Sequence, residues 1–485
     1  MTNKKQQIKN SIIYLIPFVT SSLAPIITIP IFTRIFTPVD FGILALSMIY
    51  AIFMCGLSNF GMSLVIDRNY FKYKNDKNKL AQMLYSNILF VIANFTILFL
   101  LSFLFKENIS RFLTGSPNND ILILTAFAAH FFFGTTINYY FNYLRNTERA
   151  NVYTKYRVII IAINFVLSIF LVVYIRVGIV GIVLAQFITG ISFFFYFLYL
   201  LLQEFDFSFN RNILMESIKI SYPLTPRIFI GVINNQFDKY MIGLLATSSG
   251  VGIYHIGKRI SEQVFILMAT LQNVYYPQVY QRLFGQHKEG NKSIGRYLTP
   301  FLYISIFVAM SLAMFSEELI TILTPASYHG AIPVITILAM YYGFLFFGKI
   351  NGIQLIYSKK SHITSLLTFF SVILNICLNI PMIIMFGPIG AAGATLVSGL
   401  ISVGTGILVA HRYCKVYWEW NTICWIMGIF YLSSICIGIM YLVDFSYIIS
   451  FFIKVVAMLS FIIIGVRYKI LTKENYRIIK SIVKI

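Results

Sequence analysis

Long apolar runs, separated by short polar segments, fill the sequence from residue 11 to residue 466. A helix of about 20 apolar residues crosses the hydrocarbon core of a bilayer, and these runs have that length. The strict alternation of a membrane β-barrel is absent, and only helices and closed barrels satisfy their backbone hydrogen bonds within lipid. The pattern therefore predicts an all-α polytopic membrane protein.

Fourteen transmembrane helices follow from this pattern. The predicted spans are residues 11–33, 40–66, 81–105, 121–144, 158–175, 179–203, 219–245, 252–280, 298–323, 331–356, 363–386, 390–410, 421–442 and 449–466. Lysines precede the first run as in a signal peptide, but the run is long, contains prolines and lacks an A-x-A cleavage site. We therefore expect the first span to be uncleaved.

Composition and charge support this topology. The chain is 58% hydrophobic and 11% charged, far from the composition of a soluble domain. Of its 38 Lys and Arg residues, 28 fall in alternate segments that would be cytoplasmic if the N-terminus is, and 4 fall in the outer loops. The positive-inside rule thus predicts that both termini are cytoplasmic. It also accounts for the net charge of +21 without nucleic acid.

The sequence gives no sign of a cofactor. Five cysteines occur, without a CxxC pair or a metal-ligand spacing, so we predict neither a disulfide framework nor a metal site. The phosphate-binding pattern GxxxxGK[ST] is absent, so we expect no ATP binding by this chain.

Two halves of the sequence resemble each other at an offset of 209 to 211 residues. The matched elements are TPVDFGILAL at 37–46 with TSSGVGIYHI at 247–256, RVGIVGIVLA at 176–185 with MFGPIGAAGATL at 385–396, Asn164 with Asn375, and the basic loops 67–80 and 281–297. A repeat of six spans keeps its orientation, so the halves should be parallel repeats around a central cavity. We assign residues 1–205 and 206–411 to two six-helix bundles and 412–485 to two additional helices with a basic tail.

Prolines mark the first helix of each half. Pro17, Pro25 and Pro30 lie in the first span, and Pro223 and Pro226 lie in its counterpart, the seventh. Breaks in corresponding helices of a transporter point to the binding site, although membrane helices also tolerate proline for structural reasons. We expect both helices to be kinked and to line the cavity.

Three segments resemble polysaccharide flippases of the multidrug/oligosaccharidyl-lipid/polysaccharide exporter superfamily. They are IFTRIFTPVDFGILAL at 31–46, the series Pro226, Asp238, Gly252, Tyr254 and Pro277, and NICLNIPMIIMFGPIGAAGATLVSGL at 375–400. The resemblance covers about residues 11 to 410. It implies a protein of the bacterial plasma (inner) membrane that moves undecaprenyl-pyrophosphate-linked oligosaccharides to the outer leaflet by alternating access. The product would be O-antigen, capsule or a related polysaccharide, and polymerase and chain-length proteins are possible partners.

Charges inside the predicted spans are costly and therefore informative. Spans seven, eight and ten contain five cations and two acids: Arg227, Lys239, Lys258, Arg259, Lys349, Asp238 and Glu262. A hairpin that turns near Ser248 would bring Asp238 level with Lys258 and Arg259, with Glu262 one turn beyond. Asp238, Lys239 and Glu262 serve either in an ion-pair cluster or in coupling, and a surplus of positive charge remains.

A pyrophosphate would supply the missing negative charge, because Arg binds two phosphate oxygens at once and Lys acts as a point charge. Arg227, just after the prolines, is the first candidate, followed by Lys349, Arg259 and Lys258. Arg34 is a further candidate or an interfacial anchor.

Sugars are bound by amides and hydroxyls. Asn234, Asn235, Asn138 and Asn142 are candidates for a hydrophilic lining, and interhelical hydrogen bonding explains them equally well. For ion coupling, His130 and His255 join Asp238 and Glu262 as titratable groups, without a choice between proton, sodium and no coupling.

Other functions are open at this stage. A multidrug extruder of the same superfamily would share the fold, but organic cations favour acidic cavities. A membrane polymerase or ligase needs catalytic groups on a large outer loop, and the largest predicted one, about 106–120, is too short. A non-transporting assembly subunit would not need unpaired cations. We therefore predict a transporter rather than an enzyme.

Overall fold

The computed structural model describes residues 16–222, 225–284, 290–443, 445–468 and 470. For a few helical residues, including Arg227 and Asn234, it describes the backbone alone. All elements of secondary structure in these ranges are helical, and ten of the helices are long and apolar enough to cross a membrane. The predicted all-α membrane fold is confirmed, whereas the count of fourteen spans and the cytoplasmic termini stay predictions.

The chain forms two compact units, Met1–Gly252 and Ile253–Ile485. The first contains α1 (Ile16–Thr33), α2 (Pro38–Asn59), α3 (Met62–Tyr73), α4 (Lys77–Leu104), α5 (Lys106–Thr114), α6 (Asp120–Ala129), α7 (Ile137–Asn146), α8 (Ala150–Ile169), α9 (Val180–Glu204), α10 (Arg211–Ser221) and α11 (Thr225–Leu245). Two π-helical segments, His130–Thr136 and Phe170–Tyr174, join α6 to α7 and extend α8.

The boundary between the units lies within α12 (Ser248–Phe284). The second unit continues with α13 (Gly290–Met314), α14 (Ser316–Leu323), α15 (Ala331–Tyr357), α16 (Ser361–Tyr413), α17 (Trp420–Leu442) and α18 (Tyr447–Arg467). The domain boundaries at residues 205 and 411 stay a prediction.

Some helices begin or end away from the predicted positions. The predicted span 40–66 is interrupted after Asn59, because Phe60 and Gly61 both adopt left-handed backbone angles, with φ of 49° and 76°. The predicted span 158–175 begins eight residues earlier, at Ala150, so Arg157 lies inside a helix rather than in a loop. The seventh span is divided, since α10 ends at Ser221 and α11 begins at Thr225; Pro223 is outside the described residues.

Threonine caps start the corresponding helices α2 and α12. The Thr37 hydroxyl accepts from the Asp40 backbone N–H at 3.3 Å, and the Asp40 carboxylate accepts from the Thr37 backbone N–H at 2.8 Å, which makes a capping box. The Thr247 hydroxyl accepts from the Gly250 N–H at 3.0 Å. The motif TPVD therefore has a structural role as a helix start.

Two glycines allow the first turns of α2 and α12 to touch. A methyl group at Gly42 would lie 1.8 Å from the carbonyl oxygen of Ser248, and one at Gly252 would lie 1.9 Å from that of Pro38. Both the glycines and the residues they touch are 210 positions apart in the sequence. The contact is thus symmetric with respect to the repeat, and it accepts no side chain.

A second pair of glycines breaks the helices at the end of each repeat. Gly178 and Gly387 have φ of +77° and +57°, which favours glycine, and each precedes a new helical segment. Three residues later, a methyl group at Gly181 would lie 3.1 Å from Val172, and one at Gly390 would lie 1.8 Å from the Met382 carbonyl oxygen. Both matched segments thus contain a left-handed glycine and, three residues later, a glycine in a close contact.

The two additional helices, α17 and α18, pack on the second unit. The rings of Tyr303 and Phe461 stack with centroids 4.6 Å apart, and the Tyr303 hydroxyl donates to the Phe461 carbonyl at 3.1 Å. The fully buried Phe430 of α17 packs close to Gly343 of α15. This packing makes the additional helices a part of the second unit.

Candidate anion-binding site

Helix α12 carries three of the charged residues that the sequence analysis selected, Lys258, Arg259 and Glu262. The period of 3.6 residues places Lys258, Glu262 and Phe265 along one stripe, with Arg259 beside it. Arg259 is reachable by solvent although protein atoms surround it closely. Glu262, one turn further along the helix, is its electrostatic partner within the described chain.

Helix α15 brings Lys349 to this stripe. The Lys349 ammonium lies 4.6 Å from the centroid of the Phe265 ring, a cation–π contact. Lys349 is half-buried, and the described residues place no carboxylate within ion-pair distance of it. The ammonium is therefore held by an aromatic face and keeps donors for an anion.

The neighbouring stripe of α12 fixes it against α15. A methyl group at Gly257 would lie 2.8 Å from the Val334 side chain, and the Ser261 hydroxyl donates to the Ile335 carbonyl at 3.3 Å. These contacts use Gly257 and Ser261, and they leave Arg259 exposed and Glu262 half-buried. The local sequence GKRISEQ thus separates a packing face from a charged face.

The structure brings Lys349 of α15 against Phe265 of α12 and places Glu262 near Arg259, one to two turns before Phe265 on the same helix. Lys258 is buried on the same stripe, with its ammonium 5.8 Å from the Tyr254 ring centroid. Two strongly basic groups and one carboxylate accompany it, which leaves this part of the second unit positively charged. We call Arg259, Glu262, Phe265 and Lys349 the α12–α15 face.

Other predicted site residues lie in the first unit, on α11. Asp238 is buried, and the Lys239 ammonium donates to the Gln236 side-chain oxygen at 3.2 Å. The Asn235 amide donates to the Gly231 carbonyl at 3.0 Å. The pairing of Asp238 with Lys258 or Arg259 involves residues of different units and stays a prediction. The side chains of Arg227 and Asn234 lie outside the described residues.

The remaining candidates are dispersed. Arg34 is exposed in the turn after α1. Asn142, half-buried on α7, has no hydrogen-bond partner within the described chain. Asn138, in contrast, uses both ends of its amide: it accepts from Arg157 and donates to the Gly134 carbonyl. Its amide therefore has a structural neighbour on each side. His130 packs on Gly134, and His255 is half-buried on α12.

Two polar groups were missed by the sequence analysis. Lys454 of α18 is fully buried and lies 3.0 Å from Glu317 and 2.7 Å from Glu318, both on α14. Arg157 was counted as a basic residue of an inner loop, but it lies within α8. The sequence shows a single lysine in the last span and two adjacent glutamates at 317–318. It does not predict that they form ion pairs.

An ion pair on the predicted inner side of the membrane holds helix α10 in place. The Glu216 carboxylate accepts from Lys72 at 2.5 Å and from the Tyr73 hydroxyl at 2.8 Å. The Lys72 ammonium thereby lowers the pKa of the Glu216 carboxyl. Because both partners are partly exposed, this pair positions α10 against α3 and adds little stability.

The sequence is similar to a known protein family and to a curated relative. Residues 8–278 match the model of a family described as polysaccharide biosynthesis protein. A curated relative from Haloferax volcanii, described as a probable low-salt glycan biosynthesis flippase Agl15, is 25% identical over 230 residues. The match covers 46% of this chain and 48% of the relative, so it spans about half of either protein.

Solved structures show the same fold at low sequence identity. The lipid II flippase MurJ in an inward closed conformation aligns with a TM-score of 0.71 at 15% identity, over 95% of this chain and 99% of MurJ. An inward-facing multidrug resistance transporter of the MATE family in the MOP superfamily aligns with a TM-score of 0.61 at 15% identity, over 83% of this chain and 97% of the transporter. At this identity the likeness establishes the fold alone.

Proposed function

Because this chain belongs to the polysaccharide biosynthesis protein family, we propose that it is a flippase for a lipid-linked oligosaccharide. The substrate is an oligosaccharide repeat unit on undecaprenyl pyrophosphate, moved from the cytoplasmic to the outer leaflet of a bacterial plasma membrane. Alternating access of two parallel six-helix repeats moves it, and the product feeds O-antigen, capsule or a related polysaccharide. The protein performs no covalent chemistry on the substrate.

The α12–α15 face carries this proposal. Lys349 has an aromatic contact and no carboxylate partner in the described chain, and Arg259 is accessible with a single carboxylate nearby. A charge without a partner inside a membrane protein is expensive, so a ligand of opposite sign is the natural complement. A pyrophosphate carries the charge and the acceptor oxygens that a guanidinium and an ammonium bind.

The runner-up function is a multidrug extruder, which the MATE-like fold would also suit. An organic cation would meet repulsion from Arg259 and Lys349, so the charge of the α12–α15 face favours the anionic lipid. Asp238 is the group that would favour a cation, and it lies in the other unit.

Charge removal tests this proposal in the organism that carries the gene. Lys349→Gln should reduce surface polysaccharide by at least about tenfold, because a hydrogen bond to a charged group is worth about 1.5–3 kcal/mol and tenfold corresponds to about 1.4 kcal/mol. The lipid-linked precursor should accumulate on the inner leaflet, while the protein remains in the membrane. Surface polysaccharide is measured by gel and the precursor by mass spectrometry.

Lys360→Gln is the control, since Lys360 lies in the predicted inner turn between α15 and α16 and should tolerate loss of charge. Normal polysaccharide in Lys349→Gln would exclude this residue from the site. Unchanged polysaccharide in the gene deletion, with new sensitivity to cationic drugs, would favour the extruder.

A further inference from the structure

Arg157, in the first unit, is a half-buried cation within a helix. Arg157 is seven residues into α8, which at 1.5 Å per residue is about 10 Å from the start of that helix. Asn138 lies eight residues before the end of α7, so the two are at the same depth in the α7–α8 hairpin. This hairpin turns on the predicted inner side of the membrane.

Aromatic rings and one amide hold the Arg157 guanidinium in place. Its central carbon lies 4.0 Å from the Phe141 ring centroid and 5.7 Å from that of Tyr153. Its terminal nitrogen donates to the Asn138 side-chain oxygen. The Asn138 amide donates in turn to the Gly134 carbonyl, which fixes the direction of the oxygen.

Gly134 belongs to the π-helical segment His130–Thr136. Such segments are rare and frequently occur at functional sites. Here the segment directly precedes α7 and supplies the carbonyl that orients Asn138. The local backbone irregularity is therefore part of the support for Arg157 rather than an isolated defect.

Arg157 has no counter-charge in the described chain. Its partners there are Asn138, Tyr153 and the Phe141 ring, and its Nε atom is buried without an acceptor. Arg149, on the same hairpin, differs: it donates to both oxygens of Glu204, at 3.1 and 2.6 Å. An arginine with an orphaned donor at this depth is costly unless an anion completes it. The side chain also remains partly exposed, so a ligand can reach it.

We propose that Arg157, Asn138, Phe141 and Tyr153 form a second anion-binding site, within the first unit. The ligand is a group with two acceptor oxygens that fits the planar fork of the guanidinium: a phosphate or a carboxylate. Such a group comes either from a prenyl pyrophosphate or from an acidic sugar. The site extends the proposed function but does not require it, because binding here needs no transport.

Equilibrium binding to the purified full-length protein tests the site. The probes are geranyl pyrophosphate, glucuronate and neutral glucose, measured by titration calorimetry. Wild type should bind a charged probe with two sites, one at Arg157 and one at the α12–α15 face, and Arg157→Gln should leave one. The double variant Arg259→Gln, Lys349→Gln should also leave one, so failure of either site is recognised separately.

The probe for which Arg157→Gln removes a binding site identifies the source of the anion. Loss for geranyl pyrophosphate alone indicates the lipid carrier, and loss for glucuronate alone indicates an acidic sugar. Arg157→Lys, which keeps the charge but lacks the fork, should weaken the site less than Arg157→Gln. Arg149→Gln is the matched control on the same hairpin and should leave the number of sites and their affinities unchanged.

A substitution that preserves the packing distinguishes loss of anion binding from loss of folding. Asn138→Asp keeps the size of the side chain and supplies Arg157 with a carboxylate, so the protein should fold while anion binding at this site falls at least about tenfold. If Asn138→Asp or Arg157→Gln folds and binds both charged probes as wild type does, the proposal is overturned and Arg157 serves only in packing.

Discussion

Replacing Gly252 by alanine is expected to cause a large loss of folded protein in the membrane. The added methyl group would lie 1.9 Å from the Pro38 carbonyl oxygen and 3.0 Å from the Gly42 backbone nitrogen. Both are backbone atoms, so relief requires α2 and α12 to separate. Overpacking usually costs about 1–3 kcal/mol, and contacts this short should reach at least the upper end. Thermal unfolding in detergent, followed by size-exclusion chromatography, measures the effect.

Gly231 provides the matched control for this experiment. It lies on α11 in the same unit, and a methyl group there would meet nothing within 4 Å. Gly231→Ala should therefore unfold at the wild-type temperature or slightly above, since alanine favours the helix. Equal melting temperatures for Gly252→Ala and Gly231→Ala would show that the close helix contact is not a feature of the folded protein.

Loss of the buried ammonium in Lys454→Met is the second large effect that we expect. The ammonium is fully buried between the Glu317 and Glu318 carboxylates, whereas the two glutamates keep 30% and 17% of their side-chain exposure. Without it, two like charges remain side by side and partly desolvated. Removing one partner of a buried pair costs about 3–5 kcal/mol of the free energy of unfolding. Because the glutamates are partly exposed, we expect a loss of about 3 kcal/mol. The thermal assay described above measures it.

Two variants separate charge from packing at this cluster. Combining Lys454→Met with Glu317→Gln and Glu318→Gln removes the charges together and should recover most of the lost stability. Lys79→Met breaks the exposed pair with Asp76 and should change stability by less than about 1 kcal/mol. Wild-type stability in Lys454→Met would mean that the cluster does not attach α18 to α14.

Hydropathy and charge predicted the fold well because both depend on local sequence. Apolar length located the long helices, and glycine spacing revealed the repeat, since Gly42 with Gly252 and Gly178 with Gly387 occupy matching backbone positions. Local sequence did not reveal the break at Phe60–Gly61, where two successive residues adopt left-handed angles in a strongly apolar run.

The candidate site was predictable as a set of residue types and less so as a geometry. Counting charges within the spans selected Arg259 and Lys349, but the contact of Lys349 with Phe265 joins two helices that are distant in sequence. Arg157 was not selected because the predicted start of its helix was eight residues late, which placed this residue in a loop. The ion pairs of Lys454 were not predicted because its carboxylate partners lie more than 130 residues away in the sequence.

Translocation in proteoliposomes tests the central claim most directly, namely that the surplus positive charge of the α12–α15 face binds an anionic lipid headgroup. The substrate is undecaprenyl-pyrophosphate-linked N-acetylglucosamine, and the fraction moved is measured by its accessibility to an impermeant glycosyltransferase. Wild type should move it, and Arg259→Gln with Lys349→Gln should retain less than about a tenth of that rate. A double variant that moves the substrate at the wild-type rate would contradict the account.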